Sequence, residues 1–265
     1  MAGFALHDDH RVGDVEREGP PSQAPAPPQP DLRVAEDDAG LPGAPERNLD
    51  LLRGSAQEPV EIAIIERHMI QLFALVENAV AGATHALVSA DHEAARNLVA
   101  ADADIDSLYQ HLEASVHERL LDRNTTSEET QYLLAVLGML PELERSGDLA
   151  EHVARRATRN LPAEIPARLR GYVQRMGEVA CAMWRIAADA YGGDMPAAAE
   201  QLESLDDEMD DLHVSFIAEL VAADTPVVVA IELALVGRFY ERLGDHAVNL
   251  ARRVPSRPPS ITSHG

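Results

Sequence analysis

Apolar residues recur along most of this chain at intervals of three and four, the spacing of a helix face rather than of a strand. From Val60 to Ser89 that interval holds with no proline, which predicts a long first helix. Asp91 stands where an N-cap would open a second helix running to about Asp122. Thr126-Ser127-Glu128-Glu129 has the form of a capping box for a third, ending before Asn160-Leu161-Pro162. A further set follows. One helix spans about Pro166 to Tyr191 and is broken by Gly192-Gly193-Asp194, another runs to about Ala223, and Thr225-Pro226 opens the last as a cap followed by proline in the first turn. Pro141 removes a helix hydrogen bond and predicts a kink in the third helix. No convincing period-two pattern appears, so strands are not expected.

The two sets match each other. Leu98-Val99-Ala100-Ala101-Asp102-Ala103-Asp104-Ile105-Asp106-Ser107-Leu108 aligns with Leu202-Glu203-Ser204-Leu205-Asp206-Asp207-Glu208-Met209-Asp210-Asp211-Leu212. Leu143-Glu144-Arg145-Ser146-Gly147-Asp148 aligns with Tyr240-Glu241-Arg242-Leu243-Gly244-Asp245, and both continue into Ala-Arg-Arg. Two copies of a three-helix unit explain this, and a single irregular bundle does not. The expected organisation is all-α: a first repeat over residues 58–161 and a second over 162–254. Residues 1–57 read as a disordered, proline-rich, acidic extension with a short helix conceivable around Ala44 to Arg53, and 255–265 as a tail.

Charge narrows the function. The chain carries 45 acidic residues against 22 basic ones, a formal charge of -23, and every basic residue is Arg. Such a surface repels phosphate backbones and anionic lipid, which argues against nucleic-acid binding and membrane-surface binding. The longest apolar candidate for a span, Val227 to Val236, is broken by Glu232, so no membrane insertion is expected. The first residues lack a basic-then-apolar leader, and the single Cys181 excludes a disulfide framework. These features lead to the expectation of a cytoplasmic protein.

Candidate chemistry lies in paired carboxylates. In the last helix Val229, Val236, Leu243 and Leu250, with Leu233, Tyr240, Ala247 and Val254, form one stripe for a core. Glu241 and Asp245 fall well to either side of Leu243, on the opposite face, followed by Asn249. Glu144 and Asp148 repeat the arrangement, with His152 in place of Asn249. On the second helix of each repeat, Asp102 and Asp106, and Asp206 and Asp210, flank the edge of the apolar stripe. Like charges four residues apart on a helix repel by about 0.2–0.5 kcal/mol per pair unless something compensates them. One compensation is a cation that prefers oxygen ligands. The alternative is salt bridging to Arg145, Arg238 or Arg242, or plain solvation, in a metal-free helical scaffold. A carboxylate-bridged di-metal oxidase would need Glu-x-x-His ligands. None occurs; Asp210-Asp211-Leu212-His213 is the nearest pattern. A Gly-rich phosphate loop, a nucleophile elbow and a zinc-ligand spacing are likewise missing from the sequence.

The segment Glu241-Arg242-Leu243-Gly244-Asp245-His246-Ala247-Val248-Asn249-Leu250-Ala251 closely resembles the signature of the PhoU family, and Leu143 to Asp148 looks like a degenerate copy of it. The resemblance extends over about residues 58 to 254. It implies two tandem antiparallel three-helix bundles related by pseudo-twofold symmetry. It also implies a non-enzymatic regulator of phosphate homeostasis that relays the state of an ABC phosphate transporter ATPase to a sensor histidine kinase, in a family whose members often form homodimers. Family members bind clusters of divalent or trivalent transition metal ions, with iron or zinc possible here. The matching ligands in this chain are Asp102, Asp106, Glu144, Asp148, Asp206, Asp210, Glu241 and Asp245, with His152 and Asn249 as auxiliaries. Departures from the pattern concentrate in the first repeat, where Ser146 interrupts the apolar stripe and His152 replaces the asparagine.

Overall fold

A computed structural model describes residues 49–159, 161–193 and 197–258, with side chains from residue 61. Among these residues the chain forms α1 (Leu49–Ser89), α2 (His92–Leu121), α3 (Ser127–Ala157), a one-turn α4 (Leu161–Glu164), α5 (Ala167–Gly192), α6 (Ala198–Ala222) and α7 (Val227–Arg252). No strand occurs among them. The expected extension lies outside the described residues up to 48, but α1 begins at Leu49, so residues 49–57 are helical rather than disordered.

Local chemistry sets most of the boundaries. The Asp91 carboxylate accepts from the backbone amides of Glu93 (3.1 Å) and Ala94 (2.9 Å). Thr126 and Glu129 complete a reciprocal capping box at the start of α3. Gly193, at φ +85°, closes α5 in the left-handed conformation that a Cβ would disfavour. Thr225 departs from its expected role: its hydroxyl makes no hydrogen bond, and Pro226 itself occupies the N-cap position of α7. The reason is that Pro226 is itself extended at ψ 136°, so α7 begins one residue later than expected and Thr225 falls outside the cap position. Helix α3 runs unbroken through Pro141, and the carbonyl of Gly138 in the preceding turn accepts from Arg253 of α7 at 3.0 Å. Between α2 and α3 the buried Arg119 guanidinium ties the turn together, paired with Asp122 (3.0 Å) and Glu129 (3.1 Å).

Helices α1, α2 and α3 pack as one bundle and α5, α6 and α7 as another, joined along α1–α5 and α3–α7. The apolar faces merge into one continuous core that runs from Ile62 and Leu72 through Trp184 to Leu250. Glu61–Ser89 of α1 is long and apolar enough to cross a membrane by length and composition, which no apolar run in the sequence suggested. Its Ile62, Ile65, Met69, Leu72 and Val76 are instead buried in the bundle.

Polar contacts buried at the seam fix the two bundles in register. Thr84 Oγ1 is 2.8 Å from Tyr240 Oη and Tyr132 and Tyr191 share a 2.7 Å hydroxyl bond, while within the second bundle Trp184 Nε1 donates to the Leu243 carbonyl at 3.2 Å. The α3–α7 contact shows the pseudo-twofold relation directly. Arg156 lies over the Phe239 ring, 4.8 Å from its centroid, and its counterpart Arg253 approaches Glu142, the counterpart of Phe239, at 3.7 Å. Ser146, the misfit in the apolar stripe, is buried here. Its Oγ donates to the Glu142 carbonyl (2.6 Å), which leaves His246 Nδ1 to donate to Ser146 Oγ at 2.9 Å. Burial holds the His246 imidazole below its ordinary pKa, against the pull of Glu142 and Asp245.

The tightest point of the seam is Gly177 of α5. A Cβ there would sit 2.3 Å from Thr84 Cγ2 and 2.5 Å from Thr84 Oγ1. Gly177→Ala is therefore expected to push α1 from α5 and break the Thr84–Tyr240 bond, lowering stability by about 1–3 kcal/mol. Thermal denaturation measures this. Gly171→Ala, at a position with open space around it, is the control that should not lower the midpoint.

Candidate functional site

The third helix of each repeat meets the second at a glycine. A Cβ on Gly147 would lie 3.0 Å from Ile105 Cδ1 and 3.5 Å from Asp102 Oδ1. A Cβ on Gly244 would lie 3.3 Å from Met183 and 3.6 Å from Asp206 Oδ1. In both repeats, then, the bare backbone of the third helix receives an aspartate of the second. The third helix's own Glu stands three residues before that glycine, and its Asp immediately after.

This geometry corrects, for Glu144, Asp148 and Glu241, the expectation that the Glu/Asp pairs of α3 and α7 face away from the core, while Asp245 is exposed as that expectation has it. Glu144, Asp148 and Glu241 are half-buried, because a helix in a three-helix bundle has two neighbours and the side opposite Leu143 turns into the α2–α3 groove. Asp102 and Asp206 are likewise half-buried at the stripe's edge, and Asp106, Asp210 and Asp245 are exposed.

In the first repeat the four predicted carboxylates converge strongly enough to perturb one another. Burial, then the charges of Glu151, Asp106 and Asp148, raise Asp102 from 3.8 to about 6, with Arg155 opposing. Glu144 is raised by burial and by Asp148 and Asp106. Asp148 is raised by burial and by Asp106 and Glu151, while His152 draws it down. His152 thus lies close to the set, although its ring also rests on Phe239 at 5.5 Å between centroids. Glu151 is a member that the sequence pattern did not reveal. It is buried, ion-paired with Arg155, and bounds with Asp102 and Gly147 a cavity of about 120 Å³. Its one signal in the sequence is a carboxylate where the aligned position of the second copy holds Val248.

The second repeat is looser. Asp206 is raised by burial and by Asp210 and Asp245. Glu241 is ion-paired with Arg238 one turn back, and Asn249 is half-buried one turn beyond Asp245. Among the described residues no three Asp, Glu, His or Cys side chains are close enough to hold one metal ion as they stand. What the arrangement offers is two grooves lined by oxygen donors, compressed against their own repulsion. That donor set suits a hard or borderline cation after side-chain rotation.

Fold and site together define a duplicated helical-bundle protein with a carboxylate-lined groove on each copy. The chain belongs to the PhoU family: the family model for the PhoU domain matches residues 69–157 and 173–254, one stretch in each bundle. It is similar to the phosphate-specific transport system accessory protein PhoU homolog 2 of Mycobacterium bovis, at 30% identity over 197 residues, 73% of this chain and 92% of that protein. The PhoU homolog of Rhizobium meliloti is 24% identical over 198 residues, 73% of this chain and 84% of its own length. Among solved structures, PhoU from Pseudomonas aeruginosa superimposes with a TM-score of 0.69 at 25% identity, covering 74% of this chain and 95% of that one. The phosphate transport system regulatory protein PhoU from Streptococcus pneumoniae shares the fold with a TM-score of 0.64 at 18% identity, covering 74% and 93%.

The raised Asp102 has a thermodynamic consequence. Between pH 3.8 and about 6 the folded chain keeps a proton that the unfolded chain has released. Stability therefore falls as pH rises through that window, the reverse of a salt-bridged aspartate. Asp102→Asn should remove this slope and raise the denaturation midpoint above pH 6, with little change below pH 4, in urea titrations across that range.

Proposed function

We propose that this chain is a non-catalytic regulatory accessory protein of phosphate-specific transport, acting in the cytoplasm as an adaptor between the ABC phosphate transporter ATPase and a sensor histidine kinase. The observation that carries the reading is the match of the PhoU domain to both bundles, with Gly147 and Gly244 positioned alike against Asp102 and Asp206. Relatives sharing this organisation carry the name of transport accessory protein.

The metal-binding half of the proposal rests on electrostatics. Asp102, Asp106, Glu144 and Asp148, with Glu151 added, would hold a divalent or trivalent transition metal ion such as iron or zinc. Its charge would offset the burial, and relieve the repulsion from Glu151, Asp106 and Asp148, that together raise Asp102. Asp206, Asp210, Glu241 and Asp245 would form the second, weaker set, since Glu241 must first leave Arg238. That same ion pair favours the alternative of a metal-free scaffold, in which arginines do the compensating.

Elemental analysis of protein expressed in iron- and zinc-replete medium and dialysed separates the two. A fixed metal-to-chain ratio that drops in Asp102→Asn/Asp148→Asn supports the site, and metal-free wild-type protein supports the scaffold. The adaptor role is tested by affinity capture of the tagged chain from phosphate-replete and phosphate-starved cells. Recovery of a transporter ATPase or a histidine kinase is expected, with an amount that changes with phosphate; recovery of neither under both conditions would refute it.

A further inference from the structure

The outer face of the α6–α7 hairpin carries a row of large aliphatic side chains in the open. Val221 is 83% exposed, Val227 74%, Val214 70% and Ile231 56%, with Val228 and Leu235 beside them. They share a face. Gly237 lies against His213 and Phe216, and Gly244 against Asp206, so the antiparallel register brings Val221 alongside the Val228–Ile231 turn and Val214 near Leu235. Val214 and Val221 are two turns apart on α6, and Val227, Ile231 and Leu235 succeed one another by single turns on α7. Exposed aliphatic surface of this kind is a signature of a binding face rather than of a fold requirement.

The duplication supplies an internal control. At the positions of Val214, Val221, Val227 and Val228 the first repeat has Gln110, His117, Thr130 and Gln131, and of the row it keeps only Leu134, aligned with Ile231. The same helical hairpin is thus built with a mainly polar face, so the architecture does not demand aliphatic residues there.

Charge identifies the occupant. Along the same groove, starting about 6 Å from the level of Val214, come Asp210, Asp206, Glu241 and Asp245, with Asp207 and Asp211 nearby and Arg238, Arg242 and Arg252 opposing them. A second copy of this chain, at a formal charge of -23 and with no lysine, would set like charges against each other, and an anionic bilayer would be repelled. We propose that this face is a docking surface for an amphipathic helix of another protein, one with an aliphatic row followed by Arg or Lys one to two turns further on. The helix lays its row on Ile231, Val221 and Val214 and brings its cations to Asp210 and Asp245, about one and two turns beyond Val214. The inference rests on this surface alone and stands whether or not the carboxylate grooves take metal.

The test is fluorescence anisotropy of the full chain with a labelled synthetic helix of about 20 residues that has leucines on one face and two arginines one turn beyond them. A charge-reversed version carries glutamates in place of the arginines. Saturable binding of the arginine peptide is expected, weaker by about tenfold or more for the glutamate peptide and for Val221→Glu/Ile231→Glu. Asp210→Asn/Asp245→Asn should weaken it and flatten its salt dependence, while Leu134→Glu on the first repeat should leave it unchanged. Equal binding of the two peptides, or none of the arginine peptide, overturns the proposal. So does sedimentation velocity in which Ile231→Glu converts a dimer to monomer, which would assign the face to a second copy. Co-flotation with phosphatidylcholine vesicles that is lost in the same variant would overturn it too, by assigning the face to a bilayer.

Discussion

At Gly147 and Gly244 the third helix of each repeat presents bare backbone, and the second helix lies against it closely enough to bring an aspartate oxygen within 3.5 and 3.6 Å of where a Cβ would be. That approach is what brings the carboxylates into range of one another. A Cβ at either glycine would press on Ile105 or on Met183, while meeting the aspartate at ordinary contact distance. The spacing of the two helices in each groove is thus held by packing, since they are clamped by the core around them, while the exposed Asp106, Asp210 and Asp245 keep their side-chain freedom. Raised pKa values at Asp102, Glu144, Asp148 and Asp206 are the electrostatic record of that clamp.

Two copies of one unit have solved the same strain differently. The first adds a fifth carboxylate, Glu151, where the second has Val248, and offsets it with Arg155, whose guanidinium is itself largely exposed. The second transfers Glu241 to Arg238 and leaves Asp210 and Asp245 in water. The first groove therefore stores more repulsion and has more to gain from a cation, although its version of the family signature is the degenerate one. What resembles decay in that copy is adaptation to the seam. Ser146 cannot fill an apolar stripe, yet it is buried because it meets His246 from the other repeat. The two copies are specialised at their common seam, where a strict duplicate would place Leu243 against Leu149.

Much of this was legible in the sequence, because it depends on local chemistry. Asp91 and the Thr126–Glu129 box cap the helices they were expected to cap, and Asp102, Asp106, Glu144 and Asp148 lie near enough for their charges to act on one another, though among the described residues no three such side chains stand close enough for one ion. What stayed hidden depends on neighbours that periodicity does not name. The Glu/Asp pairs of α3 and α7 were assigned to the open side because a single apolar stripe defines a single core direction, whereas these helices touch two or more others. Glu151 escaped notice because a carboxylate one turn after Asp148 reads as surface until its burial is known. Thr225 failed as a cap because Pro226 is still extended, which starts the helix one residue later than the Thr-Pro pattern implied.

Helix α7 ties these features into one object. Asp245 faces the groove against Asp206, and the next residue, His246, reaches across the seam to Ser146 and to Glu142 at 3.4 Å. Glu142 is shared with Arg253, about two turns further along α7, and Arg253 also holds the Gly138 carbonyl beside Pro141. Helix α7 therefore touches the second groove on one side and α3 on the other within the same few residues. Helix α3 in turn carries Glu144, Asp148 and Glu151. The close-packed seam leaves no soft element between the two grooves. The buried His246–Ser146 contact and Glu142, shared by His246 and Arg253, thus stand on the seam between the two grooves, beside the Arg156–Phe239 stack.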